Sequence, residues 1–314
     1  MINMLCLGAV GLGVIPLSIA HQQGLFKKHG VDVHLVPVPG TQVPKLTTEN
    51  PFGYIGAPAA VMRAAEGTAL KILASFDNGR LSNHLVARPD IKKPEDLCGK
   101  RLGARVTGAA LWIHSILALE QLGLDPNRDN ISILPIGDPA QIAQALESGN
   151  IDAAVLSRAQ SRQLSAKGYS ILLDLYPANV YGAQDALIVT TAFLQEYPDT
   201  AERIISAMIE GAAFCLSTYQ QSAVLQTIMT ELKVTDSTAA KDSLHQLSLV
   251  LTRKPYPSLE RLQNMQRIMS LHDPRVLEVE IGKLIDDSFV RKLDAGGFID
   301  SIYDEYGIER DMAT

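Results

Sequence analysis

The side chains able to do chemistry in this 314-residue chain are few and scattered. Seven histidines (His21, His29, His34, His84, His114, His245 and His272) form no HxH, HExxH or other pair four residues apart, so no metal site and no cofactor is expected. There is no GxSxG elbow, and no spacing suggests a Ser/His/Asp set. Cys6, Cys98 and Cys215 stand far apart without a CxxC, which excludes a disulfide framework or a cysteine zinc site and leaves the redox compartment open. Cys98, before Gly99 in a polar turn, reads as a bystander thiol. His84 is the one histidine expected near a ligand, and His114, on a helix, is expected at a surface or interface.

Three other features invite a binding reading. Gly8-Ala9-Val10-Gly11-Leu12-Gly13 follows the first apolar run, but its order is GxxGxG and Asp32 comes too early in the next strand to meet a ribose. A tight turn explains it better than a dinucleotide site. Thr107-Gly108-Ala109-Ala110 opens a long helix, where free N–H groups and the helix dipole favour an anion; ordinary N-capping by Thr107 is a compatible reading. Asp138, after Gly137, reads as an N-cap. Arg105 and Arg158 each follow a strand and would clamp a carboxylate or sulfonate if turned inward.

The elements that position these groups alternate. Strands are expected at 4–9, 31–36, 54–57, 70–76, 85–87, 101–104, 131–135 and 151–156, and helices at 17–29, 58–65, 108–122, 139–147 and 161–167. Gly30 stops the first helix, 93–97 is a surface turn, and the chain after 191 is mostly helical with caps at Asp199, Ser237 and Ser258. Such alternation means parallel sheets covered by helices, in two runs (1–76 and 85–173) with a helical tail. The strands 54–57 and 153–156 echo one another, each feeding a helix through a turn. Two such lobes place a ligand cleft at the carboxyl ends of both sheets.

Composition narrows the partners. With 28 Lys+Arg against 34 Asp+Glu and a net charge of −6, no basic surplus exists to neutralise nucleic-acid phosphates. Aromatics at 5% do not make a base- or sugar-stacking platform. The uncharged stretch 4–20 lacks a preceding Lys or Arg and is broken by Gly8, Gly11, Gly13 and Pro16, so it reads as a buried strand and turn, with no membrane insertion. The location is periplasmic if a signal peptide was removed and cytoplasmic if Met1 is the native start.

The run Ile19-Ala20-His21-Gln22-Gln23-Gly24-Leu25-Phe26-Lys27-Lys28-His29-Gly30-Val31-Asp32-Val33 resembles the opening of the nitrate/sulfonate/taurine (NMT1/THI5-like) group of type 2 periplasmic solute-binding proteins of ABC transporters. Pro94-Glu95-Asp96-Leu97-Cys98-Gly99-Lys100-Arg101-Leu102-Gly103, Ala145-Leu146-Glu147-Ser148-Gly149-Asn150-Ile151-Asp152-Ala153-Ala154 and Phe289-Val290-Arg291-Lys292-Leu293-Asp294-Ala295-Gly296-Gly297-Phe298 match in register.

This resemblance implies an α/β, two-lobed type 2 periplasmic-binding-protein fold, each lobe a helix-covered, mainly parallel sheet. Lobe I would comprise 1–83 plus 184–314, and lobe II 84–183. It implies a monomer that closes about a hinge on a small-molecule ligand and hands it to an ABC permease. Its cleft turns carry over to Leu12, Gly13, Val14, Gly56, Ala57, Pro58, Phe76, Asp77 and Asn78 in lobe I. In lobe II they carry over to Thr107, Gly108, Ala109, Gly137, Ser157 and Arg158, with His84, Tyr181 and Gln184 near the hinge. The apolar first turn favours a partly apolar organic acid or a heteroaromatic over nitrate. The alternative is a cytoplasmic enzyme on the same fold, of pyrimidine-precursor synthase, decarboxylase or dehydratase type, with His84 as acid/base, Arg158 as carboxylate clamp and Asp77 beside them.

Overall fold

The computed structural model describes residues 1–7, 11–38, 45–182 and 184–309. Two five-stranded sheets form from β1 Ile2–Leu7, β2 Val33–Val38, β3 Phe52–Gly56, β4 Leu70–Ala74, β5 His84–Ala87, β6 Arg101–Ala104, β7 Ser132–Pro135, β8 Ala153–Leu156, β9 Ser170–Asp174 and β10 Asp185–Thr190. The first sheet has the order β2-β1-β3-β10-β4 and the second β7-β6-β8-β5-β9. The echo between 54–57 and 153–156 is therefore positional, because β3 and β8 are the middle strands of matching sheets.

Each sheet contains one reversed strand, β10 or β5, which the alternation of strands and helices does not foretell. The other four strands of each sheet run the same way, so the sheets are mainly parallel. Apolar runs are near-continuous because both faces are covered. Along β1, Met4 and Cys6 enter the core on one face while Leu5 enters the core on the other.

The helices of the α/β runs are α1 Ile15–Gln22, α2 Leu25–Lys28, α3 Ala57–Ala65, α4 Ala110–Gln121, α5 Pro139–Glu147 and α6 Arg158–Ser165. The expected helix at 17–29 is two, broken where Gly24 adopts φ 69°. The expected helix at 161–167 starts earlier, at Arg158, because Ser157 caps it. The tail carries α7 Thr191–Glu196, α8 Pro198–Leu216, α9 Gln221–Glu231, α10 Ser237–Val250, α11 Leu259–Met269, α12 Ile281–Leu284, α13 Ser288–Ala295 and α14 Phe298–Glu305. Two expected caps are corrected: Asp199 lies inside the first turn of α8, and Asp236, not Ser237, caps α10 by accepting from Ala239 N–H; Ser258 does cap α11.

The tail returns to cover the first sheet. Helices α1, α8, α13 and α14 share one core with it, and α3 and α11 pack on its opposite face. That second core continues through Leu81, Leu175 and Val180 to α4 and the second sheet. The connections from β4 to β5 and from β9 to β10 run antiparallel between the sheets: Leu81 N–H donates to Val180 O at 2.9 Å and Gly182 N–H to Gly79 O at 2.8 Å. Arg80 stacks on Tyr176 at 3.8 Å and donates to its carbonyl, and Arg261 stacks on Tyr181 at 4.4 Å.

Candidate functional site

The crossovers decide which strand ends meet. They leave the carboxyl ends of β4 and β9 and enter β5 and β10 beside the carboxyl ends of β8 and β3, where His84 pairs with Leu156 and Asp185 with Gly56. Both carboxyl edges thus border the same two crossovers, the position expected for a cleft.

On the first sheet's edge lie a 3-10 turn Leu12–Val14, Gly56 at the end of β3, Asp77 after β4 and Asp185 at the start of β10. Gly8, Ala9 and Val10 of the GxxGxG run lie outside the described residues. Asp77 is held by the backbone: Gly79 N–H donates to Oδ1 and Asp185 N–H to Oδ2, each at 2.8 Å. Burial and then the Asp185 charge push the Asp77 carboxyl up, while those donors and Arg261 oppose. Burial pushes Asp185 up as well. The Tyr54 hydroxyl is buried without a hydrogen-bond partner, and burial, Asp185 and Asp77 raise it well above its ordinary value.

The Asp185 carboxylate occupies the place of a Gly13 side chain. A Cβ on Gly13 would sit 1.7 Å from Oδ2, and one on Gly56 4.0 Å from Oδ1. Gly13→Ala is therefore expected to displace this carboxylate, keep the fold and weaken ligand binding about tenfold. Calorimetric titration beside a thermal melt checks both halves.

Other expected residues on this edge serve the frame. Phe76 is fully buried against Tyr54 and offers no side-chain surface to a ligand. Ala57 and Pro58 are buried in the first turn of α3. Asn78 donates through its N–H to Val250 O and through Nδ2 to Leu249 O. Gln184 is buried and donates to Asp77 O at 2.6 Å. Tyr181 lines a separate pocket with Leu117, Glu120 and Arg261 behind the crossovers.

On the second sheet's edge, Gly108 takes φ 79° and Ala109, not Thr107, is the N-cap of α4, with no capping side chain. The capping role read for Thr107 is thus corrected, and the first amides of α4 have no side-chain acceptor. Arg105 lies just before this turn with a buried Nε lacking a partner; burial lowers its affinity for its proton and Asp138 opposes. Asp138 caps α5 as expected, accepting from Ala140 and Gln141 N–H. Gln141 folds back so closely over Gly137 that a Cβ there would sit 2.1 Å from it, and this return explains the glycine. The Ser157 hydroxyl is engaged in the cap of α6.

Arg158 and His84 converge on one carboxylate. Arg158 donates to both Asp174 oxygens at 2.7 Å, and His84 Nε2 lies 3.4 Å from Asp174 Oδ2. Burial pushes the His84 proton affinity down, with Asp174 opposing. Arg158 is therefore not a free clamp, and Asp77 stands on the other sheet, apart from this group. A cavity of about 260 Å³ opens beside Arg158, between Ser82, Arg162 and Tyr176 and the α10 residues Asp242, His245 and Gln246. Arg162 pairs with Asp242 across it. His114 is corrected from surface to core: it is 9% exposed, pushed down to about 4 by burial, and its ring fills the space beside Gly182.

A family model described as NMT1/THI5 like matches residues 13–222. The chain belongs to this family. The taurine-binding periplasmic protein of Escherichia coli is 27% identical over 163 residues, covering 51% of this chain and 49% of that protein. The chain spans between a third and a half of the length of two curated relatives that it matches. Among solved structures, the alkanesulfonate-binding protein SsuA of Xanthomonas axonopodis pv. citri, bound to MOPS, superposes with a TM-score of 0.71 at 16% identity, covering 91% of this chain and 97% of that one. The periplasmic nitrate-binding protein NrtA of Synechocystis PCC 6803 gives 0.72 at 14% identity, covering 99% and 91%. This NMT1/THI5-like chain therefore has the two-lobed periplasmic-binding-protein fold, and no helix among its described residues is long and apolar enough to cross a membrane.

Proposed function

We propose that this chain is the solute-binding component of an ABC importer in the sulfonate/nitrate/taurine group. Lobes of residues 1–83 plus 184–314 and 84–183 close about the crossovers on one small organic acid, as a monomer that delivers it to a permease. The observation that carries this reading is the pair of matching sheets whose carboxyl edges meet at the crossovers with buried polar atoms that have no hydrogen-bond partner among the described residues, the Tyr54 hydroxyl on one and Arg105 Nε on the other. The acid end of the solute belongs at the uncapped start of α4 beside Arg105, where amides, dipole and guanidinium all favour negative charge. The names of the relatives support a transport role. A catalytic reading has less support, because the suspected His84, Asp77 and Arg158 do not form one group.

A thermal-shift screen of sulfonates, aromatic carboxylates, pyrimidines and nitrate, followed by mass analysis of the recovered compound, tests this. A solute at 100 times its dissociation constant adds about 2.7 kcal/mol. Stabilisation with the compound recovered unchanged is expected; recovery of an altered compound overturns the reading in favour of an enzyme. Arg105→Gln should weaken binding of the stabilising acid by about tenfold or more, measured by calorimetry.

A further inference from the structure

We propose that the two lobes part on one side only: α4 and α11 form a packed seam that stays shut, while α6 swings away from α10 and the Arg162–Asp242 pair latches that opening. This deepens the solute-binding reading above and rests on it. The apolar cores carry the asymmetry. On one face of the sheets a single core runs from the first sheet through α11 and the crossovers to α4 and the second sheet. On the other face the core under α8 and α10 holds no residue of the second sheet or its helices. The core under α5 and α6 holds none of the first.

Rings and charge close the seam as well. Trp112 of α4 lies 6.1 Å from the ring of His272, just beyond the end of α11. A Cβ on Gly108 would meet that ring at 3.7 Å. Arg267 of α11 donates to both oxygens of Glu120 on α4 at 3.0 Å. Parting these helices would bring the buried Trp112, Met265 and Ile268 into water, which the hydrophobic effect opposes.

The α6–α10 side is built otherwise. The cavity of about 260 Å³ between the two helices is lined mostly by polar side chains, and Arg162 spans it to Asp242. Opening it wets polar groups and breaks no shared core. Both partners of the pair are partly solvated, so it biases closure by about fivefold or less. Such a latch yields and re-forms readily, whereas the seam does not. Arg158 is no substitute for Arg162, because Asp174 engages it. The solute then enters and leaves between α6 and α10. The start of α4 belongs to the seam, so the place beside Arg105 keeps its position against His272 during opening.

Distances between paired spin labels, measured by pulsed electron paramagnetic resonance, test this without any solute. The background is Cys98→Ser, since Cys98 is exposed while Cys6 and Cys215 are buried. Gln163→Cys with Lys241→Cys reports the α6–α10 side, and Gln121→Cys with Gln263→Cys reports the seam; all four positions are exposed. Asp242→Arg, which turns the pair into like charges, is expected to lengthen the first distance by more than about 2 Å and leave the second unchanged. The emission of Trp112, the single tryptophan, should stay as it is. Adding Arg162→Glu restores opposite charges and should restore the first distance. Equal lengthening of both distances, lengthening at the seam alone, or no change in either overturns the one-sided opening. Failure of the charge swap to restore the first distance overturns the latch. The solute-binding reading stands or falls separately, by the thermal screen.

Discussion

Glu210→Ala is expected to cost about 3 kcal/mol and to lower the melting temperature by about 8 °C. Glu210 sits on α8 with 1% exposure and accepts from Lys28 Nζ at 2.6 Å, His29 Nε2 at 2.7 Å and Tyr306 OH at 2.9 Å. Lys28 is exposed enough to regain water when its partner is removed, so the main loss falls on His29 and Tyr306. Burial alone would raise the Glu210 carboxyl, but the His29, Lys28 and Tyr306 donors overcome it and hold the group down to about 2. A carboxyl held below its unfolded value of 4.5 stabilises the fold above that pH, and the contribution is lost as pH falls towards 2. Melting curves of the two proteins should therefore converge under strong acid and separate above about pH 5. Equal melting temperatures at pH 7 would remove Glu210 as a clamp. Glu210→Gln, which retains an acceptor oxygen, should lose less.

This clamp shows what was legible in the chain and what was not. The Lys28-His29-Gly30 stretch stands out as a sequence, but its partner lies 182 and 181 residues away within an apolar helix, and no local pattern links them. Helix α5 was readable to the residue because Asp138, Pro139 and Gln141 make a local capping box. The reversed strands were not, because alternation records which faces are buried and carries no direction. Asp185 was missed for that reason: a single acid before the apolar run of β10 reads as a solvated strand end. Only the antiparallel return beside β3 places it against Gly13 and Asp77, which is 108 residues distant. Asp77, by contrast, falls in a turn after a readable strand. His114 was misplaced because a polar residue on a helix is ordinarily exposed, whereas here the crossover glycine Gly182 leaves a gap its ring fills.

In the unliganded protein, Asp185→Asn is expected to raise stability at pH 7.5 by about 2 kcal/mol, moving the melting temperature up by about 5 °C. Burial holds both carboxyls above their ordinary value of 3.8, and the Asp185 charge pushes Asp77 further the same way. Above that value the folded chain keeps protons that the unfolded chain has released. The stability this pair contributes is then full below about pH 4 and is lost as pH rises through the raised range. Asparagine has the same shape without the charge, so the variant should show a flatter dependence: near wild type below about pH 4 and above it at pH 7.5. A variant less stable than wild type at pH 7.5 would mean that the carboxylate has a structural partner.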